Sequence, residues 1–201
     1  MTKTAEISRE DSVETKPQLP DGWRREQLGN VCDIRMGETL IAKDLTGDGI
    51  PVFSANTSVE PWVFTSHGRL KFNQSSVVVG ARGSIGFPRW PNLPAWTATQ
   101  TTIVLTCRDS EALIPEWLLR ALQRVDFKGM TAQQAIPMMT VGDLELFEIP
   151  LPPPTEQKRI AGILKEQMAA VERACRSAEA QLQAAEALPA ALLRRAFNGE
   201  L

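Results

Sequence analysis

The residues best placed to do chemistry in this chain are cations and amides set among glycines. Gly80-Ala81-Arg82-Gly83-Ser84-Ile85-Gly86 follows the apolar run Val77-Val78-Val79 and puts one guanidinium and one hydroxyl inside a glycine turn. A guanidinium can donate two parallel hydrogen bonds to a phosphate or to a guanine edge. Glycines let a second backbone come close, but they also serve any tight turn that needs positive φ. Both readings stand for this segment. It is not a nucleotide loop: it departs from GxGxxG, lacks the Gly-Lys-Ser/Thr of a Walker loop, and Pro88 and Pro91 forbid the helix such loops require.

The surrounding charge pattern points the same way. From Pro61 to Arg108 there is no Asp or Glu, while Arg69, Lys71, Arg82, Arg89 and Arg108 all fall in that window with His67. The net charge of -2 does not exclude a nucleic-acid partner, because phosphate contacts act over about 10 Å at cellular salt and need only one basic face. The plain alternative is a chance gap in acids within a half-buried, strand-rich stretch. Gln100, Gln133 and Gln134 could read adenine or sit as ordinary surface amides. Lys128 opens the segment Lys128-Gly129-Met130-Thr131-Ala132-Gln133-Gln134, whose small residues and amides suit a DNA-facing loop. Trp62, Trp90 and Trp96 lie in the acid-free window and are assigned to packing.

Catalytic chemistry is missing from the pattern. The only histidine is His67, and Cys32, Cys107 and Cys175 are far apart with no CxxC. That argues against a metal site, a disulfide framework or a His-based triad, and favours a reduced, cytoplasmic setting. Pro152-Pro153-Pro154 lacks the Asn or Asp and the aromatic of a methyltransferase motif. Asp11, Glu14 and Lys16 mimic part of a nuclease pattern, but in a polar tail, residues 1–18, expected to be disordered. No window approaches a membrane span, and the first residues lack an apolar leader core.

The elements that must hold these residues fall into two regimes. Val31–Met36, Pro51–Phe53, Trp62–Phe64, Ser76–Val79, Thr101–Thr106 and Phe147–Leu151 read as strands. Glu116–Val125 has helical spacing behind Pro115, and Val141–Leu146 suits a short helix. Without regular βαβ alternation this is an α+β domain, residues 19–152. The change comes at Glu148–Leu164, EIPLPPPTEQKRIAGIL. Its three prolines call for an extended approach, with Thr155 as N-cap and Glu156 favourable to the helix dipole. Beyond it, Leu164, Met168, Val171, Cys175, Ala178, Leu182 and Ala185 step by four and three, a heptad seam for a coiled coil over residues 153–201. Thr155 to Leu188 would reach roughly 50 Å as helix, and Pro189 is expected to kink or restart it. Such a stripe calls for a partner helix, or else it folds back on its own domain.

PLPPPTEQKRIAGIL resembles the junction between a target-recognition domain and its spacer helix in the DNA-specificity (S) subunits of type I restriction-modification systems. Leu19-Pro20-Asp21-Gly22-Trp23 with Leu28-Gly29 resembles the family's opening motif. Val77 to Gly86 resembles its central strand and glycine turn, and Leu192 to Leu201 its C-terminal tail. Family members usually carry two recognition domains and two spacers. One of each is present here, with no internal repeat, so the resemblance is to a half-length form. It implies a non-catalytic subunit that binds double-stranded DNA, self-associates through its spacer and directs partner subunits to a bipartite site. Those partners would be a SAM-dependent adenine methyltransferase and, for cleavage, a restriction/translocase subunit using ATP and Mg. The alternatives are a coiled-coil adaptor that binds protein and a specificity fragment that works only with another half.

Overall fold

The computed structural model describes residues 18–131 and 137–199. Residues 1–17 of the N-terminal tail, Gln133, Gln134 and the last two residues of the C-terminal motif lie outside the described residues.

The strands are β1 (Arg24–Gln27), β2 (Cys32–Met36), β3 (Leu45–Thr46), β4 (Ile50–Phe53), β5 (Val63–Thr65), β6 (Ser76–Gly80), β7 (Gly86–Arg89), β8 (Thr97–Ala98), β9 (Thr102–Cys107) and β10 (Glu148–Leu151). The helices are α1 (Leu28–Val31), α2 (Pro115–Gln123), α3 (Phe127–Thr131), α4 (Val141–Glu145) and α5 (Pro154–Phe197). The central sheet has the order β2-β9-β6-β7 and is antiparallel throughout. A second sheet runs β3-β5-β4-β8, its β4–β8 pair parallel. β1 and β10 form a separate antiparallel pair.

The apolar runs at β6 and β9 follow from burial on both faces. Val77, Val79, Ile103 and Leu105 point into the larger core with α2 and α4, while Val78 and Val104 point the other way, into a smaller core with Phe53, Phe72 and Trp96. Alternate side chains on one strand face opposite sides, so a strand roofed on both sides reads as continuous valine. Each large side chain buried in this way contributes roughly 1.5–3 kcal/mol. Trp96 is wholly buried and stacks edge-on against Phe53 at 5.4 Å.

The joint to the long helix differs from its sequence reading. The N-cap is Pro153, and Pro154 and Thr155 are already helical. Thr155 is therefore not the cap, and only Pro152 and Pro153 make the extended approach. Proline at the first helical position loses nothing, since its missing N–H would have had no partner there. Gln157 secures the joint instead. It is fully buried, accepts from Ile114 N–H (3.0 Å), and donates to the carbonyls of Ala112 (2.8 Å) and Pro152 (2.9 Å). Trp117 adds a bond to the Pro150 carbonyl (3.0 Å) and packs edge-on against Trp23.

α5 is one helix of 44 residues with Pro189 inside it, so it does not restart there. At 1.5 Å per residue it is roughly 65 Å long. Ala161 is buried in the core and Ile160 packs against it. Leu164 and Met168 border a cleft of about 390 Å³ shared with Trp23, Trp117 and Pro150. The stripe thus begins on its own domain, and Leu164 is half-buried there. From Val171 onward it stands clear. Val171, Cys175, Ala178, Leu182 and Ala185 are all exposed.

Candidate nucleic-acid interface

The Gly80–Gly86 segment is the hairpin turn between β6 and β7. Gly83 and Gly86 have φ of +74° and +79°, as the turn reading required. A Cβ on Gly80 would collide with the Ser84 carbonyl oxygen, and one on Gly86 would lie 2.9 Å from the Phe127 ring. Gly83 is different, because nothing lies within 4 Å of where its Cβ would be. The tip is open, as an approaching backbone would need. Register between β6 and β7 slips by one residue here, and Phe87, exposed, takes a φ of 54°. Such a bulge re-aims the turn.

Arg82 is exposed at that tip. Its backbone and that of Ala81 donate to the Thr101 carbonyl (3.2 and 2.8 Å). Its Nε lies 3.0 Å from the Met138 sulfur, and Met139 N–H donates to the Ala81 carbonyl. Met138 and Met139 therefore lie beside the turn. Thr140 and Asp143 follow them with a reciprocal cap on α4, Asp143 N–H to Thr140 Oγ1 (3.2 Å) and Thr140 N–H to Asp143 Oδ2 (2.8 Å).

Gln100 occupies the neighbouring loop. It is exposed, and its Oε1 accepts from the Thr39 hydroxyl at 2.7 Å. Its backbone donates to the Glu38 carbonyl (2.8 Å). The Glu38 carboxylate accepts the N–H groups of Arg69 and Leu70 (3.1 Å each) and the Thr97 hydroxyl (2.7 Å). Hydrogen bonds thus tie Arg69 to Glu38 and Glu38 to Gln100, and the next residue in the chain, Thr101, accepts from Arg82, all at one end of the central sheet. Lys71 and Ser84 join them, Lys71 exposed two residues beyond Arg69 and Ser84 half-buried in the turn. Lys128 is exposed on α3, next to the Phe127 that packs on Gly86. Among the described residues no acidic side chain forms an ion pair with Arg69, Lys71, Arg82 or Lys128.

Arg89 does not belong with the exposed cations. It is only 5% exposed and its guanidinium is turned inward, onto Asn56 Oδ1 (2.8 Å) and the carbonyls of Ser58 (2.9 Å) and Ser54, above the Phe53 ring. Burial lowers its pKa from the usual arginine value. A phosphate cannot reach it in this fold. Sequence reasoning also missed Glu38 and the hydroxyls of Ser54, Thr99 and Thr101, which bond one another at 2.8 to 3.4 Å. The available signal was Thr97-Ala98-Thr99-Gln100-Thr101-Thr102, four threonines in six residues.

The model for the type I restriction modification DNA specificity domain matches residues 20–178. This chain belongs to that family. It is 28% identical over 186 residues to the EcoDI type I restriction enzyme specificity subunit of Escherichia coli, covering 92% of this chain and 40% of that subunit. A chain from a solved structure on complex assembly and conformational transition of the type I R-M system aligns with a TM-score of 0.75 and 31% identity, over 94% of this chain and 49% of the other. The HsdS subunit of Thermoanaerobacter tengcongensis aligns with a TM-score of 0.66 and 31% identity, over 94% and 48%. An S subunit from M. genitalium, at 20% identity and TM-score 0.58, shares the fold. The specificity chain described here thus spans about half the length of the relatives it matches. It has the expected plan of an α+β unit followed by a long helix. Among its described residues there is no metal-holding cluster of His, Cys, Asp or Glu, and no helix is long and apolar enough to cross a membrane.

Proposed function

We propose that this chain recognises a short DNA sequence and brings partner enzymes to it, without catalysis of its own. Residues 19–152 would be the recognition domain and 153–201 the spacer. The observation that carries the reading is the gathering of Arg69, Lys71, Arg82 and Gln100 at one end of the central sheet, around an open glycine tip, with no acid among the described residues paired to the cations. Phosphate contacts from the cations would fix register, and Arg82 and Gln100 offer the groups that read guanine and adenine edges.

The exposed stripe of α5 supports pairing with a second copy in antiparallel fashion. Two recognition domains would then sit at a fixed spacing, and two-fold symmetry would demand a symmetric bipartite site. The partners would be SAM-dependent adenine methyltransferase subunits and, for cleavage, an ATP- and Mg-dependent restriction/translocase subunit, in the cytoplasm. Any base flipping belongs to the methyltransferase.

The test is a map of modified bases in DNA from cells expressing this chain with a partner methyltransferase, against cells lacking this chain. A bipartite methyladenine motif that disappears without the chain is expected. A palindromic motif means a homodimer, and an asymmetric one means a second specificity half. Identical maps would overturn the reading.

A further inference from the structure

β4 ends at Phe53 and the chain turns outward at Ser54. The next residues are fastened from below by one side chain, Arg89, whose guanidinium bonds Ser54, Asn56 and Ser58 within five residues of sequence. Two local bonds tighten the loop further. Ser58 N–H donates to Asn56 Oδ1 (3.2 Å) and Glu60 N–H to Ser58 Oγ (3.1 Å). Among the described residues no carboxylate pairs with this buried cation, and its Nε has no partner. Taking a guanidinium out of water onto neutral acceptors is unfavourable, so the arrangement is a poor way to stabilise a fold. It does fix the path of a loop.

That loop shares its foundation with the Arg82 turn. Ser54 Oγ meets Thr99 Oγ1 (3.0 Å) and Thr101 Oγ1 (3.4 Å), and the Thr101 carbonyl is the acceptor for Arg82 N–H. Past its fastened base the loop presents Thr57, Ser58, Val59 and Glu60 to solvent, with Val59 73% exposed. These offer a hydroxyl, a methyl pair and a carboxylate, groups that match a base edge, a thymine methyl and a cytosine amine.

We infer that loop 54–60 is a base-reading element of the DNA face and that buried Arg89 is its positioning residue, an inference that rests on the DNA-recognition reading. A rigidly supported loop can discriminate where a mobile one cannot.

The experiment is binding-site selection by the whole 201-residue chain from a randomised duplex DNA pool, followed by salt titration on the selected duplex. Its variants are Thr57→Ala/Val59→Ala/Glu60→Ala, Arg89→Met and Arg89→Lys. The triple variant is expected to relax discrimination about tenfold or more at one contiguous block of the motif. Its salt slope should stay unchanged. Arg89→Met should relax the same block, also at constant slope, and Arg89→Lys should recover part of it. A triple variant that selects the wild-type motif overturns the inference. So does an Arg89→Met slope shallower by about one, the mark of a phosphate contact. If circular dichroism shows Arg89→Met unfolded, the triple variant decides, since it removes only exposed side chains. A wild-type chain that enriches no motif sinks the DNA-recognition reading itself, and the inference with it.

Discussion

Glu38 holds Arg69 by its backbone. The carboxylate at the end of β2 accepts the Arg69 N–H at 3.1 Å, shares the grip with Leu70 N–H, and is steadied by the Thr97 hydroxyl at 2.7 Å. An acid thus anchors the backbone of Arg69 and Leu70, and among the described residues it forms no ion pair with Arg69 or Lys71. Glu38→Gln keeps one acceptor oxygen but turns an N–H₂ toward donors. We expect it to weaken DNA binding several-fold and to cost about 1–2 kcal/mol of stability, since charge-assisted hydrogen bonds are replaced by poorer ones. Competition binding with urea melts on the same sample checks both. Unchanged affinity with lowered stability would mean that the Arg69–Lys71 loop lies off the DNA.

Among the described residues the exposed Arg82 head group has only a sulfur contact, to Met138. Arg82→Ala should therefore leave the melting temperature within about 1 °C while lowering DNA affinity by about 1–3 kcal/mol. If the contact is to a phosphate, the salt slope falls by about one and all sequences weaken alike. If it is to a guanine, the slope holds and one position of the motif loses preference. Binding at the wild-type level would remove Arg82 from the interface.

Periodicity made some elements legible and hid others for identifiable reasons. β6 and β9 could be read directly because burial on both faces makes them apolar throughout, and α2 and α5 because their apolar residues recur at helical spacing. β1, β3 and β8 could not: each is two to four residues long and is defined by a partner far away in sequence, such as Arg24 opposite Leu151. β7 was hidden by Gly86, Pro88 and its bulge. Arg82 and Arg89 look equivalent in sequence, two arginines in an acid-free window. Only the fold separates them, because Arg82 is exposed beside Met138 while the Arg89 guanidinium is buried on Ser54, Asn56 and Ser58. The glutamine after Thr155-Glu156 looked like part of a motif, and its physical role appeared only when α5 was seated on the turn before α2.

That glutamine supports a third prediction. Gln157→Leu keeps the volume but strands Ile114 N–H and the carbonyls of Ala112 and Pro152, all of which rely on one buried amide. At about 1–3 kcal/mol for each unsatisfied buried group, the chain should lose roughly 3 kcal/mol or more. Gln157→Glu should fare no better at neutral pH. The introduced carboxylate can still accept from Ile114, but it faces two carbonyl oxygens. Burial and repulsion raise its folded pKa above the unfolded value, so the variant is steadiest at acid pH and loses stability as pH rises through the unfolded value of about 4.3. Urea melts across pH 4 to 8 test this. A flat difference from wild type would show that water replaces the amide.

The seam on α5 sets the last prediction. Val171 and Leu182 are 62% and 60% exposed, so neither contributes to the domain core. Val171→Asp/Leu182→Asp should therefore leave the unfolding of the α+β domain untouched. In a paired helix each aspartate would be driven into an apolar contact with no counter-charge, which the seam cannot accommodate. Sedimentation should show mass falling from about twice 22.2 kDa to 22.2 kDa. Helical circular dichroism should fall with it, because a lone helix of this length is only marginally stable beyond the turns packed on the domain. The same variant should bind a single half-site as wild type does, yet lose the advantage of a two-half duplex, which comes from effective concentration alone. Retained dimer mass would place the interface elsewhere, with the cleft beside Leu164 and Met168 as the next surface to mutate. Retained mass together with a lost two-half advantage would instead mean that the aspartates shift the register of the pair, since a rigid helix pair would set the distance between the two α+β units.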